Sequence, residues 1–257
     1  MGKQYKPFNK KKDVPAEPPK DVRLNRFISN AGITSRREAD TLISEGKVKV
    51  NGKVVTELGT RVKKSDKVVY QGKVLQAEKL QYVLLNKPKD FITTMSDTHN
   101  RKTVMSLVDK ACPERIYPVG RLDRPTTGLL MFTNDGELAK KLTHPSHKIR
   151  KIYHVELDKA LTQADFDRIL EGVELDDGIA KVNELAQVGD NPKSIGLEIH
   201  IGRNRVVRRI FEKLGYRVQK LDRVMFANLT KKDLQRGKWR HLNVREVQNL
   251  KNMVKKK

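Results

Sequence analysis

In residues 23–55, RLNRFISNAGITSRREADTLISEGKVKVNGKVV, apolar positions recur first at helical and then at strand spacing. Leu24, Phe27, Ile28 and Ala31 fall at i, i+3, i+4 and i+7, one face of a helix that Gly32 stops. Ser35 and Glu38 spell a capping box, in which hydroxyl and carboxylate each satisfy a free amide of the next helix. Ala39, Leu42 and Ile43 form the apolar face of that second helix, and Gly46 ends it. In KVKVNGKVV, Val48 and Val50 alternate with Lys47 and Lys49. The Asn51-Gly52 pair predicts a tight hairpin, because both of its central residues need positive φ. A further strand is expected at 67–70. Two short helices packed on a small twisted sheet make residues 22–78 one compact module.

Outward from this module the composition changes on both sides. Residues 1–21 are rich in Lys and Pro, lack an apolar period, and read as a flexible basic arm. Residues 76–80 read as a linker into a second domain, residues 79–257. There YVLLNKP (82–88) reads as a buried strand closed by Pro88, and GLLMFT (128–133) as another. A helix capped by Asn134 or Asp135 follows, with Leu138 and Leu142 on one side. KIYHVELD and IGLEIHI alternate as strands. Thr162 caps a helix whose inward residues are Phe166, Ile169 and Leu170. The segment 204–214 reads as a helix with Val207, Ile210, Phe211 and Leu214 inward, and Asn243 with Glu246 caps a last helix. Helices and strands mix without a regular β-α-β-α repeat, so the fold class is α+β.

Charge narrows the function. Lys and Arg number 54 against 31 Asp and Glu, a formal net charge of +23, and only a small part lies in the first twenty residues. Such a surface gathers polyanions, nucleic acid above all, because each neutralised phosphate releases counterions. An anionic membrane is the competing partner, but no apolar run is long enough to span one. No secretory leader is visible and Cys112 stands alone, which points to a soluble cytoplasmic protein. The six histidines and one cysteine show no zinc spacing, so no metal site is expected. Walker, dinucleotide and Gly-x-Ser-x-Gly motifs are absent as well, so no nucleotide or redox cofactor is expected.

The segment GRLDRPTTGLLMFTN (120–134) lies between two apolar strands and places Asp123 where a strand runs into a turn, between Gly120 and Gly128, with Thr126 able to bond the turn. A carboxylate there is aimed rigidly into a cleft, or is simply a turn residue satisfying backbone amides. Arg36 and Arg37 open the second helix while Lys47 and Lys49 flank the hairpin. They form either a phosphate-binding patch or an ordinary solvated face.

Residues 22–75, with the Ser-Arg-Arg-Glu helix start and the Val-Asn-Gly hairpin, resemble an S4 domain, a small RNA-binding module. GRLDRPTTGLLMFTN is similar to the signature of the pseudouridine synthases that carry an N-terminal S4 domain and modify ribosomal RNA. NKP at 86–88, the strand with Tyr153 and GRNRVVRRIFEKLG at 202–215 follow in the family's order. The S4 segment is nearer the branch that acts on the large subunit.

The resemblance implies a small S4-like module followed by a mixed α+β catalytic domain. It implies ribosomal RNA as partner, no cofactor, and Asp123 as the catalytic carboxylate, acting as nucleophile at C1′ or base at C2′ of a flipped-out uridine. It sets Tyr153 against the uracil, pairs Arg208 with Asp123, and lets Arg121 fill the space the base vacates. Lys87, Arg205 and Arg209 are expected on the RNA path with Arg36, Arg37, Lys47 and Lys49. Val206 departs from the family, which has glutamine there. The rival reading is a non-catalytic RNA-binding or ribosome-assembly factor of the same fold.

Overall fold

The computed structural model describes residues 21–63 and 65–255, so the basic arm expected at residues 1–21 lies, but for Asp21, outside the described residues. The chain divides into two compact units, one ending at Glu78 and the other beginning at Lys79.

In the first unit the apolar periods become the helices Leu24–Asn30 and Arg36–Ser44. The Ser35 hydroxyl accepts from the Glu38 amide at 3.3 Å, and the Glu38 carboxylate accepts from the Ser35 amide at 3.0 Å. The sheet runs in the order Lys53–Val55, Val48–Val50, Val68–Tyr70, Lys73–Val74, all antiparallel. Asn51 and Gly52 take φ of 50° and 84°, the conformation that a two-residue hairpin demands. Leu24, Ile28, Ala39, Ile43, Val48, Val62 and Val68 close over one core. Strands Val22–Arg23 and Arg61–Val62 pair beside it. They were not foreseen, since two residues are too short to show alternation.

The second unit is built on one sheet with the order Glu184–Gln187, Ser194–Ile199, Lys151–Leu157, Val218–Phe226, Thr127–Thr133, Tyr82–Lys87, Trp239–His241. Pairing is antiparallel except where Asp222 and Arg223 meet Thr127 and Gly128 in parallel register. Successive residues of the central strands enter two different cores. Val83, Leu85, Leu130 and Phe132 join Ile169, Val207, Ile210 and Phe211, whereas Leu84, Leu129 and Met131 join Leu138, Leu142 and Leu250. Helices therefore cover both faces, which is why YVLLNKP and GLLMFT read as unbroken apolar runs. Each such fully buried side chain contributes about 1.5–3 kcal/mol. The fold is α+β.

One strand was not foreseen and two expectations need correction. Val218–Phe226, the longest strand of the sheet, had no strand signature, because Lys220, Asp222 and Arg223 interrupt its apolar residues. Leu170 is 40% exposed although Ile169 beside it is buried, so that helix is anchored through a narrower stripe. The helix expected at 204–214 starts at Val206, after Arg205 in a left-handed conformation with φ of 46°. Among the described residues no helix is long and apolar enough to cross a membrane.

Candidate active site

A cleft of 670 Å³ opens in the second unit, lined by the Asp123 loop on one side and by the strands carrying Tyr153 and Arg223 on the other. The loop is shaped through its backbone. The Thr126 amide donates to the Asp123 carbonyl at 3.0 Å and closes a turn over Arg124-Pro125. Thr126 thus bonds the turn through its amide and not through its hydroxyl, which is buried without a partner. Thr93 brackets Leu122, its hydroxyl donating to the Leu122 carbonyl at 2.8 Å and accepting from its amide at 3.3 Å. Gly128 is required: a Cβ there would lie 2.3 Å from the Arg223 carbonyl oxygen and 2.5 Å from its nitrogen. The loop is pinned against the next strand by that close approach.

Lys87 is the hub of the loop. Its side chain is fully buried, and its ammonium donates to the carbonyls of Thr126 at 2.8 Å, Pro88 at 3.1 Å, Asp123 at 3.2 Å and Arg124 at 3.3 Å. Burial pushes its pKa down to about 8, opposed by Asp123 and Asp90 and helped by Arg236. The expectation that Lys87 contacts RNA is therefore wrong. A fully buried ammonium directed at four carbonyls cannot reach a phosphate.

Asp123 itself is half-buried and lines the cleft. Its backbone is held by Lys87 and Thr126, while its carboxylate receives no hydrogen bond among the described residues. Tyr153, nine-tenths buried, faces the same cleft. Arg121 lines it too, exposed and without a protein partner among the described residues. Val206 presents an apolar wall where a glutamine was expected from the family.

Arg208 is buried, not on the solvent face. Its Nη1 donates to the Val218 carbonyl at 2.9 Å, and its Nε is buried without a partner. Burial and Arg205 push its guanidinium down from the usual arginine value, and Asp123 pushes it back up. The expected direct ion pair between Arg208 and Asp123 is absent: the guanidinium is anchored to the Val218 carbonyl. Arg205 lines the cleft, exposed, with Glu212 at 3.5 Å. Arg209 does not offer the free RNA contact expected of it. Its Nη atoms clasp Asp177 at 3.0 and 2.8 Å and its Nε donates to the Asn204 carbonyl at 2.9 Å.

In the first unit Arg36, Arg37, Lys47 and Lys49 are all exposed. Lys47 shares its charge with Glu45 at 2.6 Å.

Lys151 and Arg223 escaped the sequence reading. Both line the cleft. Lys151 was legible in principle, since it stands two residues before Tyr153 on an alternating strand and so shares its face. Arg223 gave no signal, being charged within a stretch without strand periodicity.

Residues 81–213 match the RNA pseudouridylate synthase family, and residues 22–68 match the S4 domain. The ribosomal large subunit pseudouridine synthase B of Bacillus subtilis is 46% identical over 233 residues, covering 89% of this chain and 95% of its own. An uncharacterized RNA pseudouridine synthase of Aquifex aeolicus is 42% identical over 234 residues, covering 90% and 94% respectively. A crystal structure of a pseudouridylate synthase matches with a TM-score of 0.64 at 28% identity, covering 89% of this chain and 99% of that one. A turn-borne carboxylate, a cleft-facing tyrosine and an S4 module thus occur together in a chain that belongs to the RNA pseudouridine synthase family.

Proposed function

We propose that the chain isomerises a uridine of large-subunit ribosomal RNA, with Asp123 as the catalytic carboxylate. The observation that carries the assignment is the contrast within one residue: the Asp123 backbone is fastened by hydrogen bonds while its carboxylate is left open to the cleft. A group so held is pre-oriented at no cost at the moment of reaction.

The reaction breaks the N1–C1′ bond, turns the uracil and forms a C5–C1′ bond. C5 loses its proton and N1 gains one. Nothing is oxidised or hydrolysed, so the chemistry asks for no redox or nucleotide cofactor. The uridine must first leave its stack, which costs a few kcal/mol in a duplex. Tyr153 offers the uracil an aromatic face, and the unengaged Arg121 fills the space the base vacates. The carboxylate then attacks C1′ or removes the C2′ proton, and Arg208 stands behind the wall as a buried cation. Arg36, Arg37, Lys47 and Lys49 of the S4 module dock the RNA by its phosphates, with Arg205 beside the cleft.

The choice of large-subunit RNA rests on the Bacillus subtilis relative, and it implies work in the cytoplasm. Mapping pseudouridine across the ribosomal RNA of cells with and without the gene tests it. One large-subunit site should disappear with the gene; a loss confined to small-subunit or transfer RNA overturns the substrate assignment.

A further inference from the structure

The cleft wall facing the Asp123 loop contains two cations that the chain itself does not neutralise. Lys151 donates from Nζ to the carbonyls of His200 at 2.7 Å and Ile149 at 2.9 Å. An ammonium has three donors, so one N–H is left over. Arg223 is only 3% exposed; its Nε donates to the Leu129 carbonyl at 2.8 Å, and its Nη2 is buried without a partner. No carboxylate pairs with either among the described residues. Glu198 on the neighbouring strand is engaged by Arg150 and by His200 at 3.5 Å. The other arginines of the cleft rim, Arg203 and Arg205, have Asp177 and Glu212 as partners.

The strand register brings this pair together. Tyr153 lies opposite Arg223, and Lys151 lies opposite Phe226 on one side and Ile199 on the other. Two residues at positions 223 and 226 would face opposite ways on a regular strand. The register shift between Ile152 and Tyr153 absorbs one residue, so both line the cleft. The Arg223 guanidinium then rests over the Phe226 ring at 4.8 Å, which fixes its plane.

We propose that Lys151 and Arg223 form an anion subsite that holds one backbone phosphate of the RNA beside the target uridine. This rests on the reading of the chain as an RNA uridine isomerase. Burying unpaired cations is costly unless a partner arrives, and burial together with Arg223 already holds Lys151 down at about 8. The partner must bring a full negative charge when it binds. In RNA only the phosphates do so, since the uracil is neutral until its glycosidic bond breaks. Lys151 stands about 7 Å along the strand from Tyr153, so a base against the tyrosine and a phosphate at the lysine belong to the same short stretch of RNA.

The test uses the full chain and an RNA fragment that it converts. Each phosphate flanking the target uridine is replaced in turn by a neutral methylphosphonate. At one position wild-type binding should weaken about tenfold, the loss of one charge-assisted hydrogen-bonded contact. Lys151→Gln should weaken binding of the unmodified RNA by the same factor and flatten the salt dependence by about one phosphate. On the methylphosphonate RNA it should cost nothing more, and Lys151→Arg should restore binding. Independent, additive losses at every position overturn the subsite. So does a Lys151→Gln protein that binds normally but converts bound RNA slowly, which would turn the pair toward the departing uracil. Wild-type conversion, read in parallel, keeps the parent reading separate. If no ribosomal uridine is converted, that reading fails, and the phosphate contrast is run on whichever RNA the chain does convert.

Discussion

Asp222 and Asp123 sit at the same end of the sheet, Asp222 in register with Thr127, four residues beyond Asp123. Their surroundings are opposite. The Asp222 carboxylate accepts from the Thr127 hydroxyl at 2.8 Å and from Arg236 at 2.9 Å, and it is bonded by Lys231 as well. Burial pushes its pKa up, but Arg236, Lys231 and Thr127 outweigh burial and hold it at about 2. Asp123 has every bond on its backbone and none on its carboxylate among the described residues. One acid is consumed in holding strands together; the other is held so that its charge stays free. The contrast assigns structural and chemical duties without reference to position in the chain, and substitutions at five positions test it.

The largest effect is expected at Asp123. Asp123→Asn keeps shape and removes charge, so single-turnover conversion should fall by about a hundredfold or more, with the melting temperature unchanged. Conversion within tenfold of wild type would take Asp123 out of the chemistry and reduce it to a turn residue.

Lys87 comes next, because it couples loop shape to catalysis. Lys87→Met leaves the carbonyls of Thr126, Pro88, Asp123 and Arg124 without their shared donor. Urea denaturation should show a loss of about 2–3 kcal/mol, and an ångström of displacement at Asp123 should slow conversion by about a hundredfold. A variant that is destabilised but converts at the wild-type rate would separate the loop's anchoring from its aim.

Asp222→Asn should be milder, since the Lys231 and Arg236 side chains are 36% and 41% exposed and screened by water. A stability loss of about 1–2 kcal/mol is expected. The pH dependence has a definite sign. A carboxyl held at about 2 in the folded state, against about 3.9 unfolded, stabilises fully above pH 4 and loses that contribution as pH falls toward 2. Acid unfolding of the Asn variant should therefore be shallower in that window. An unchanged slope would show that the three partners do not act on the carboxylate in solution.

Most of the architecture was legible because it depends on local rules. The Ser35–Glu38 box, the Asn51-Gly52 turn and the apolar runs at 82–88 and 128–133 each follow from neighbouring residues, and each formed. The site was legible only in part. Asp123 and Tyr153 stood out through the resemblance, but their wall did not. Val218–Phe226 carries its function in buried charges, so the alternation that announces a strand is missing. Lys87 was expected on the RNA path together with the exposed cations. Only the fold shows that four carbonyls converge on it. Arg209 likewise looked free until a hairpin 32 residues away supplied Asp177. Long-range partners decide which charges are used up, and spacing along the chain does not encode them.

The smallest effects should divide the arginines of the helix Val206–Lys213 by the same rule. Arg209 resembles Asp222: its charge is taken by Asp177, in a pair whose side chains are 24% and 43% exposed. Arg209→Ala should cost about 0.5–1 kcal/mol of stability and leave conversion of saturating RNA unchanged. Arg208 resembles Asp123: it has one bond, to the Val218 carbonyl, and a buried Nε with none. Asp123 acts on it through charge alone, without a shared hydrogen bond. Arg208→Ala should therefore slow single-turnover conversion of saturating RNA by about tenfold, roughly 1.4 kcal/mol of barrier. Arg208→Lys, which keeps the positive charge, should recover part of the rate, a rescue that a purely structural defect would not give. If Arg208→Lys recovers nothing, Arg208 serves the packing of the helix against Val218 and not the charge in the cleft.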